Sequence, residues 1–138
     1  MHTQTLEQQR ADHAWKCAER YTKDHANVAK SLPALIMNSG LMQVLAFCHE
    51  KGSKEKQRFN EEVATHLRTW LHSRFPKLIP SAEFPNVMQA LMTAQPSDYQ
   101  AITTEAFAWL RWLRQMASAR VVDNPRAVTD KKGASSCP

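Results

Sequence analysis

Apolar residues recur every three to four positions along almost the whole chain, which is the spacing of one face of an α-helix. Little interrupts this pattern, since only three of the 138 residues are glycine and β-branched residues are sparse. No long segment alternates apolar and polar residues as a half-buried strand does. The sequence therefore predicts an all-α fold, a compact bundle of about five to six helices.

Five helical segments are predicted from this periodicity and from the residues that begin and end helices. They are residues 5–30, 31–51, 54–75, 82–94 and 97–119. The apolar period stops near Arg120, and the residues that follow contain proline, glycine and serine. We therefore predict one helical domain over residues 1–119 and a flexible C-terminal tail over residues 120–138.

The second segment is predicted to be the central helix of the bundle. Its apolar residues, among them Leu35, Met37, Val44 and Phe47, point in all directions around the helix axis. A helix that is apolar on every side is buried on every side, so the other helices should pack around it. Gly40 lies inside this segment and is expected to mark a close helix approach or a bend.

Charge and cysteine content restrict the environment of the protein. The formal net charge is +5 and the pI is about 9.3, which fits an acidic partner such as a nucleic acid. Three cysteines, none within four residues of another, argue against a secreted disulfide scaffold and for a cytoplasmic protein. The first ten residues are polar, and no apolar run is long enough to span a bilayer, so neither a signal peptide nor membrane attachment is expected.

Catalytic and metal-binding motifs are missing from the sequence, and we expect no enzyme activity and no cofactor. No phosphate-binding loop, dinucleotide fingerprint, nucleophile elbow or zinc-protease motif occurs. His13 and Cys17 have the spacing of half a zinc site, but no second pair accompanies them. Cys48 and His49 are adjacent and diverge on a helix, and Glu105 is interpreted as an ordinary helical charge.

A basic stripe is the most suggestive local feature. Lys16, Arg20, Lys23 and Lys30 fall on one side of the first predicted helix and span about 21 Å at 1.5 Å per residue, a match for successive phosphates of a nucleic acid. The alternative is an ordinary solvated helix face, which composition alone favours because acidic residues share the region. A second basic cluster includes Lys54 and Arg58, and Arg111 with Arg114 form a third.

Several short motifs, taken in order, resemble a known family. They are Arg10-Ala11 with Ala14, Leu32-Pro33-Ala34-Leu35-Ile36, Ser39-Gly40-Leu41, Leu45-Ala46-Phe47, Tyr99, Thr103-Thr104-Glu105-Ala106 and Trp109-Leu110-Arg111-Trp112-Leu113-Arg114. Over residues 8–119 the sequence resembles the small α-helical subunit of the type III-B CRISPR RNA-targeting effector, the Cmr complex. The resemblance departs at Ser39, where the family often has Asn directly before Gly-Leu.

The resemblance implies a non-catalytic subunit with a role in antiviral defence. Small subunits of that family stack in several copies along a filament, beside the guide RNA and its paired target. They lie opposite the repeating backbone subunit, which cuts the target, whereas the large subunit carries the other activities. The implied partners are therefore guide RNA, target RNA, the backbone and large subunits, and further copies of the chain.

A subunit that accepts any guide sequence should bind RNA by charge and shape rather than by reading bases. We predict that Lys16, Arg20, Lys23 and Lys30 form the RNA-binding surface. Lys54 and Arg58 are the second choice of RNA-binding residues. One alternative is a helical protein–protein adaptor without nucleic-acid contact, which would expose an apolar patch. Another is a small helical enzyme or metal protein that uses His13, Cys17 and Cys48.

Overall fold

The computed structural model describes residues 3–123, except for the side chains of Glu55 and Asp123, and this part of the chain contains six α-helices and no strand. The helices are α1 (Leu6–Cys17), α2 (Lys23–Ser39), α3 (Leu41–Gly52), α4 (Arg58–Arg74), α5 (Phe84–Thr93) and α6 (Pro96–Asp123). Short 3-10 helices at Ala18–Arg20 and Glu55–Gln57 precede α2 and α4. The predicted all-α bundle is confirmed.

Helix α6 supplies the surface on which α1, α2 and α4 pack. Ile102, Trp109, Leu110 and Leu113 lie along its inner face and are completely buried. Burying such side chains stabilises the fold by roughly 1.5–3 kcal/mol each relative to leaving them exposed. The core is one continuous cluster to which every α-helix contributes buried residues.

The prediction of one helix over residues 5–30 is wrong, because the chain turns between α1 and α2. After the 3-10 turn, Tyr21 and Thr22 adopt extended backbone conformations, and α2 begins at Lys23. The His25 ring accepts a hydrogen bond from the Thr22 backbone N–H at 2.9 Å, as glutamate does in a capping box. The turn also lets Tyr21 enter the core, where it is almost fully buried.

The prediction of one helix over residues 31–51 is also wrong. Helix α2 continues past Ser31 and through Pro33, and it ends at Ser39. Gly40 then separates α2 from α3, with φ of 86° and ψ of 157°, a conformation that side chains other than glycine rarely adopt. The Tyr99 hydroxyl accepts from the Met42 backbone N–H at 3.4 Å and so partners one of the free amides at the start of α3. The bend expected at Gly40 is thus a complete helix break.

The break also changes which apolar residues are buried. Met37 is 78% exposed and Phe47 is 40% exposed, so the predicted burial on all sides does not hold for this segment. Two helices with different axes each bury one face: α2 buries Leu32 and Ile36, and α3 buries Leu41, Val44, Leu45 and Cys48. The exposed faces of α2 and α3 are therefore available for contacts outside the chain.

The second half of the chain follows the prediction closely. Helices α4, α5 and α6 lie within the segments predicted as 54–75, 82–94 and 97–119, apart from α6, which begins one residue earlier and extends to Asp123. Residues 124–138 of the predicted tail lie outside the described residues.

Candidate nucleic-acid interface

The four cations predicted to line one helix, Lys16, Arg20, Lys23 and Lys30, lie on separate elements, because the chain turns after α1. Lys16 is on α1, Arg20 is in the following 3-10 turn, and Lys23 and Lys30 are on α2. Lys54 precedes the second 3-10 turn and Arg58 begins α4. All six side chains are exposed: Lys16, Arg20, Lys23, Lys30, Lys54 and Arg58. The prediction of a single straight stripe on one helix is therefore wrong, although all six predicted side chains face solvent.

Three of these cations gather at an open depression of about 610 Å3 on the surface between α1, α2 and α4. Lys16, Arg20 and Arg58 all line it. Arg58 is far from the other two in sequence, and the packing of α4 beside the α1–α2 turn brings it there. We call this feature the basic depression. It is lined by Lys16, Cys17, Glu19, Arg20, Tyr21, Thr22, His25, Arg58, Phe59, Glu62, Thr65 and His66.

Aromatic and imidazole rings line the same depression. The Tyr21 ring lies parallel to the His25 ring with centroids 4.7 Å apart, and the Phe59 ring meets His25 at a steep angle. The Tyr21 hydroxyl lies 2.7 Å from Nδ1 of His66, and Nε2 of His25 lies 2.5 Å from the Glu62 carboxylate. These contacts hold the rings in fixed positions.

Protonation of these rings follows from their partners and their burial. Nδ1 of His25 accepts from the Thr22 backbone N–H, so the ring proton sits on Nε2 and is donated to Glu62. Burial raises the pKa of the Tyr21 hydroxyl, and burial, assisted by nearby His25, lowers the pKa of His66. Tyr21 therefore donates to a neutral His66, and the positive charge of the depression comes from its lysine and arginine side chains.

Most of the predicted cations have no acidic partner among the side chains that the structure describes. Lys16 pairs with Asp12 one helical turn away at 2.9 Å. The other five form no ion pair with any side chain that the structure describes: Arg20, Lys23, Lys30, Lys54 and Arg58. An exposed ion pair like that of Lys16 is worth about 1 kcal/mol or less, so an incoming phosphate readily competes for it.

The basic surface continues from the depression along α2. Lys23 follows directly after Thr22, which lines the depression, and Lys30 lies two turns further on the same side of the helix. Asn27 is exposed between the two lysines. The seven-residue spacing places the two lysines about 10 Å apart along the helix. A run of exposed donors thus leads away from the depression.

The structure gives His13, Cys17 and Cys48 roles in packing. Nδ1 of His13 accepts from the Trp109 indole N–H at 3.1 Å and lies 3.5 Å from the Cys17 sulfur. Burial raises the pKa of Cys17 to about 12 and of Cys48 to about 11, so both stay protonated thiols rather than the thiolates that attack substrates or bind metal. Among the side chains that the structure describes, no group of three or more His, Cys, Asp or Glu is placed to hold a metal ion.

Acid should destabilise the protein through His13. Burial lowers the pKa of His13 from 6.5 to about 4, so below pH 6.5 the unfolded chain binds a proton that the folded protein resists. The stability that neutral His13 confers is fully present above pH 6.5 and is lost as the pH falls to about 4. Because His13 is only partly buried, we expect the free energy of unfolding to fall by about 1–2 kcal/mol over this range. Denaturant unfolding measured between pH 6.5 and 4 should show a smaller loss of unfolding free energy for His13→Gln than for the wild type. The glutamine side chain can still accept a hydrogen bond from Trp109 but does not titrate. Parallel stability profiles for the two proteins would contradict the assignment of this loss to His13.

Sequence reasoning missed the ring cluster in the depression. Tyr21, His25 and His66 are not spaced like the members of a known motif, so the sequence gives no direct sign that their rings share one site. The available signal was Thr22 followed three residues later by His25, which resembles a capping box and indicates a new helix start. A helix start at that position would have placed the chain turn, and with it the depression, between α1 and α2.

An exposed apolar groove lies between α3 and α5, away from these residues. Its lining includes Met42, Phe47, Met88 and Met92, and Met92 is 61% exposed. Methionine side chains are flexible and adapt to differently shaped partners. The groove is the kind of apolar patch that the adaptor hypothesis predicted.

A helical bundle whose described part carries an exposed cationic surface and an apolar groove has the features of a binding protein. The chain belongs to the family described as CRISPR-associated protein (Cas_Cmr5), whose family model matches residues 6–120. The resemblance to the small subunit of the type III-B Cmr complex is thereby confirmed. A comparison with curated proteins finds no match. None of the helices in residues 3–123 is both long and apolar enough to cross a membrane.

Proposed function

We propose that the chain is a non-catalytic subunit that stacks in several copies along a Cmr filament and contacts the guide RNA–target RNA duplex. Its protein partners are the backbone subunit, the large subunit and further copies of itself, and it acts in the cytoplasm in antiviral defence. Family membership supports a place in a multisubunit CRISPR complex. The surface chemistry supports the contact with RNA.

One observation carries this proposal: exposed cations with no acidic partner among the described side chains line the basic depression and continue along α2. A lysine or arginine that already has an acidic partner gains little binding energy from a phosphate, because the new contact replaces an existing one. A cation without such a partner gains a complete charge-assisted hydrogen bond. The five unpaired cations are members of the predicted RNA-binding set. They supply the sequence-independent part of nucleic-acid affinity.

Recognition by backbone contact suits a duplex of variable sequence. The major groove of an A-form duplex is deep and narrow, so side chains on a compact helical surface reach phosphates and 2′-hydroxyls instead of distinguishing base edges. Lysine on a flexible stem and arginine with its planar fork both satisfy phosphate oxygens without a base-specific geometry. Affinity should therefore vary little with guide sequence.

The proposal is tested with a variant that removes three cations outside the depression, Lys23→Gln/Lys30→Gln/Lys54→Gln. Each lost phosphate contact should lower the slope of log affinity against log salt by about 0.9, so the slope should fall by about 2 to 3. Fluorescence anisotropy with labelled duplex RNA, repeated over a salt series and with two unrelated sequences, measures both slope and sequence dependence. The loss should be equal for the two sequences.

A matched control removes three other exposed cations, Lys77→Gln/Arg111→Gln/Arg114→Gln. Both variants lower the net charge by the same amount, so a general charge effect would change them equally. We expect the control to keep most of the wild-type salt slope. Equal slopes for the wild type and the Lys23/Lys30/Lys54 variant would exclude this surface from the RNA interface.

The second candidate function is a helical adaptor that holds protein partners together without touching RNA. The apolar groove with Met42, Met88 and Met92 is the observation that favours it. An adaptor would show no salt-dependent RNA binding, and neither triple variant would alter what little binding occurred. The same anisotropy measurement therefore separates the two candidates.

A further inference from the structure

The basic depression is lined by hydrogen-bond acceptors and aromatic rings as well as by cations. Arg20 and Arg58 come from different elements and both line the depression, as does Lys16. Neither arginine has an ion-pair partner among the side chains that the structure describes. Two unpaired guanidinium groups at one concave site can each bind a phosphate in a bidentate manner.

Carboxylates make the depression a poor site for a bare anion. Glu19 and Glu62 also line it, and the Glu62 side chain is 48% exposed although one of its oxygens already accepts from His25. These oxygens repel a compact anion but accept hydrogen bonds from hydroxyl or amino groups of a ligand. The charges therefore favour a ligand with an anionic end and a separate end rich in hydrogen-bond donors.

A ring surface and a suitable volume complete the site. Phe59 is only partly buried, and its ring packs edge-on against His25 at a centroid distance of 4.8 Å, with the Arg58 guanidinium 6.0 Å from its centroid. His66 also lines the depression and is partly buried. The volume of about 610 Å3 lies within the range of sites for small organic ligands. A planar heterocycle has an apolar surface to lie against.

We propose that the basic depression binds one ribonucleotide unit, either free or as an unpaired residue of an RNA strand. Its phosphate contacts Arg20 and Arg58 with support from Lys16, and its sugar hydroxyls or base amino groups donate to Glu62 and Glu19. Its base lies against Phe59. The identification of RNA as a source rests on the proposed function, whereas the mononucleotide chemistry follows from the depression itself.

Nuclear magnetic resonance of the full chain, labelled with 15N, tests the proposal with three probes: adenosine 5′-monophosphate, adenosine and inorganic phosphate. The monophosphate should shift the Arg20 and Arg58 Nε–H signals and the His66 ring signals, and it should bind more tightly than either part alone. In Arg20→Gln/Arg58→Gln, the loss of two charge-assisted contacts should weaken monophosphate binding by about tenfold or more. The charge-matched control Arg111→Gln/Arg114→Gln should bind it like the wild type.

Competition identifies the source of the nucleotide unit. If a short single-stranded RNA displaces the monophosphate and loses affinity in Arg20→Gln/Arg58→Gln, the unit belongs to RNA; if it does not compete, the ligand is a free nucleotide. Phosphate binding as tightly as the monophosphate, or unchanged monophosphate binding in the double variant, would overturn the proposal. If the nucleotide-binding proposal is wrong, the salt slope of the Lys23/Lys30/Lys54 variant with duplex RNA still tests the proposed function. The two proposals can therefore be rejected independently.

Discussion

Replacing Glu105 by alanine should lower the free energy of unfolding by about 3–5 kcal/mol, because it removes the shared acceptor of a buried polar network. Glu105 is 5% exposed and accepts two hydrogen bonds from Arg10, at 2.7 and 2.8 Å. It also accepts from the Trp70 indole N–H at 3.1 Å, and Arg74 lies 3.7 Å away. Without the carboxylate, the buried Trp70 N–H has no acceptor, and the partly buried Arg10 and Arg74 lose the negative charge that they share. Guanidinium unfolding of the two proteins measures the difference.

The exposed substitution Glu50→Ala on α3 is the matched control and should change stability by about 0.5 kcal/mol or less. Glu105→Gln keeps the shape and one acceptor oxygen, so it should fall between the two. A Glu105→Ala protein as stable as Glu50→Ala would show that the network contributes nothing.

The charge state of Glu105 gives the same network an acid dependence. Burial alone would raise the pKa of this carboxyl, but hydrogen bonds from Arg10 and Trp70 and the nearby charges outweigh it and hold the pKa below its usual value. The folded protein thus favours the carboxylate more than the unfolded chain does. Its contribution is complete above the unfolded pKa and is lost as pH falls through the folded pKa. The cost of Glu105→Ala should therefore shrink in strong acid.

Replacing Gly52 by alanine should destabilise the protein by about 3 kcal/mol, at the upper end of the usual cost of overpacking. A Cβ at position 52 would lie 2.1 Å from Cβ of Glu61 and 3.3 Å from its Cα, so α3 and α4 would have to move apart. Separation of the two helices also disturbs Glu61, which bonds to Arg68 at 3.2 Å and to the His49 ring. The midpoint of chemical unfolding measures the effect.

The control for this prediction is Gln43→Ala, an exposed position on the same helix, which introduces no atom near Glu61. We expect it to change stability by about 0.5 kcal/mol or less. If Gly52→Ala were equally mild, the tight contact between α3 and α4 would not be a feature of the folded protein.

Most helices of the second half were predictable because their signal is local. Leu67, Trp70 and Leu71 on α4 recur at helical spacing, and the structure buries all three. On α6, Trp109 and Leu113 share one face in the sequence and are fully buried in the bundle. An amphipathic period and flanking prolines do not depend on which helix packs where, so they can be recognised without tertiary contacts.

The two errors in the first half have a different cause. The helical period runs unbroken across Tyr21 and again across Gly40, so a local pattern does not show that the chain turns there. Tyr21 leaves the helix because the core accepts its ring, and Gly40 adopts a positive φ that starts α3 in a new direction. Both breaks are decided by how neighbouring helices pack.

The sequence by itself determined the helical class, the family and the individual cations that are exposed on the surface, because helical period and residue charge are properties of the chain alone. Only the tertiary structure decided that Arg58 joins Arg20 at one depression and that Glu105 is a buried acceptor for Arg10 rather than a solvated helix charge. These pairs are separated by 38 and 95 residues. Contacts over such separations depend on the packing of whole helices, which local spacing does not encode.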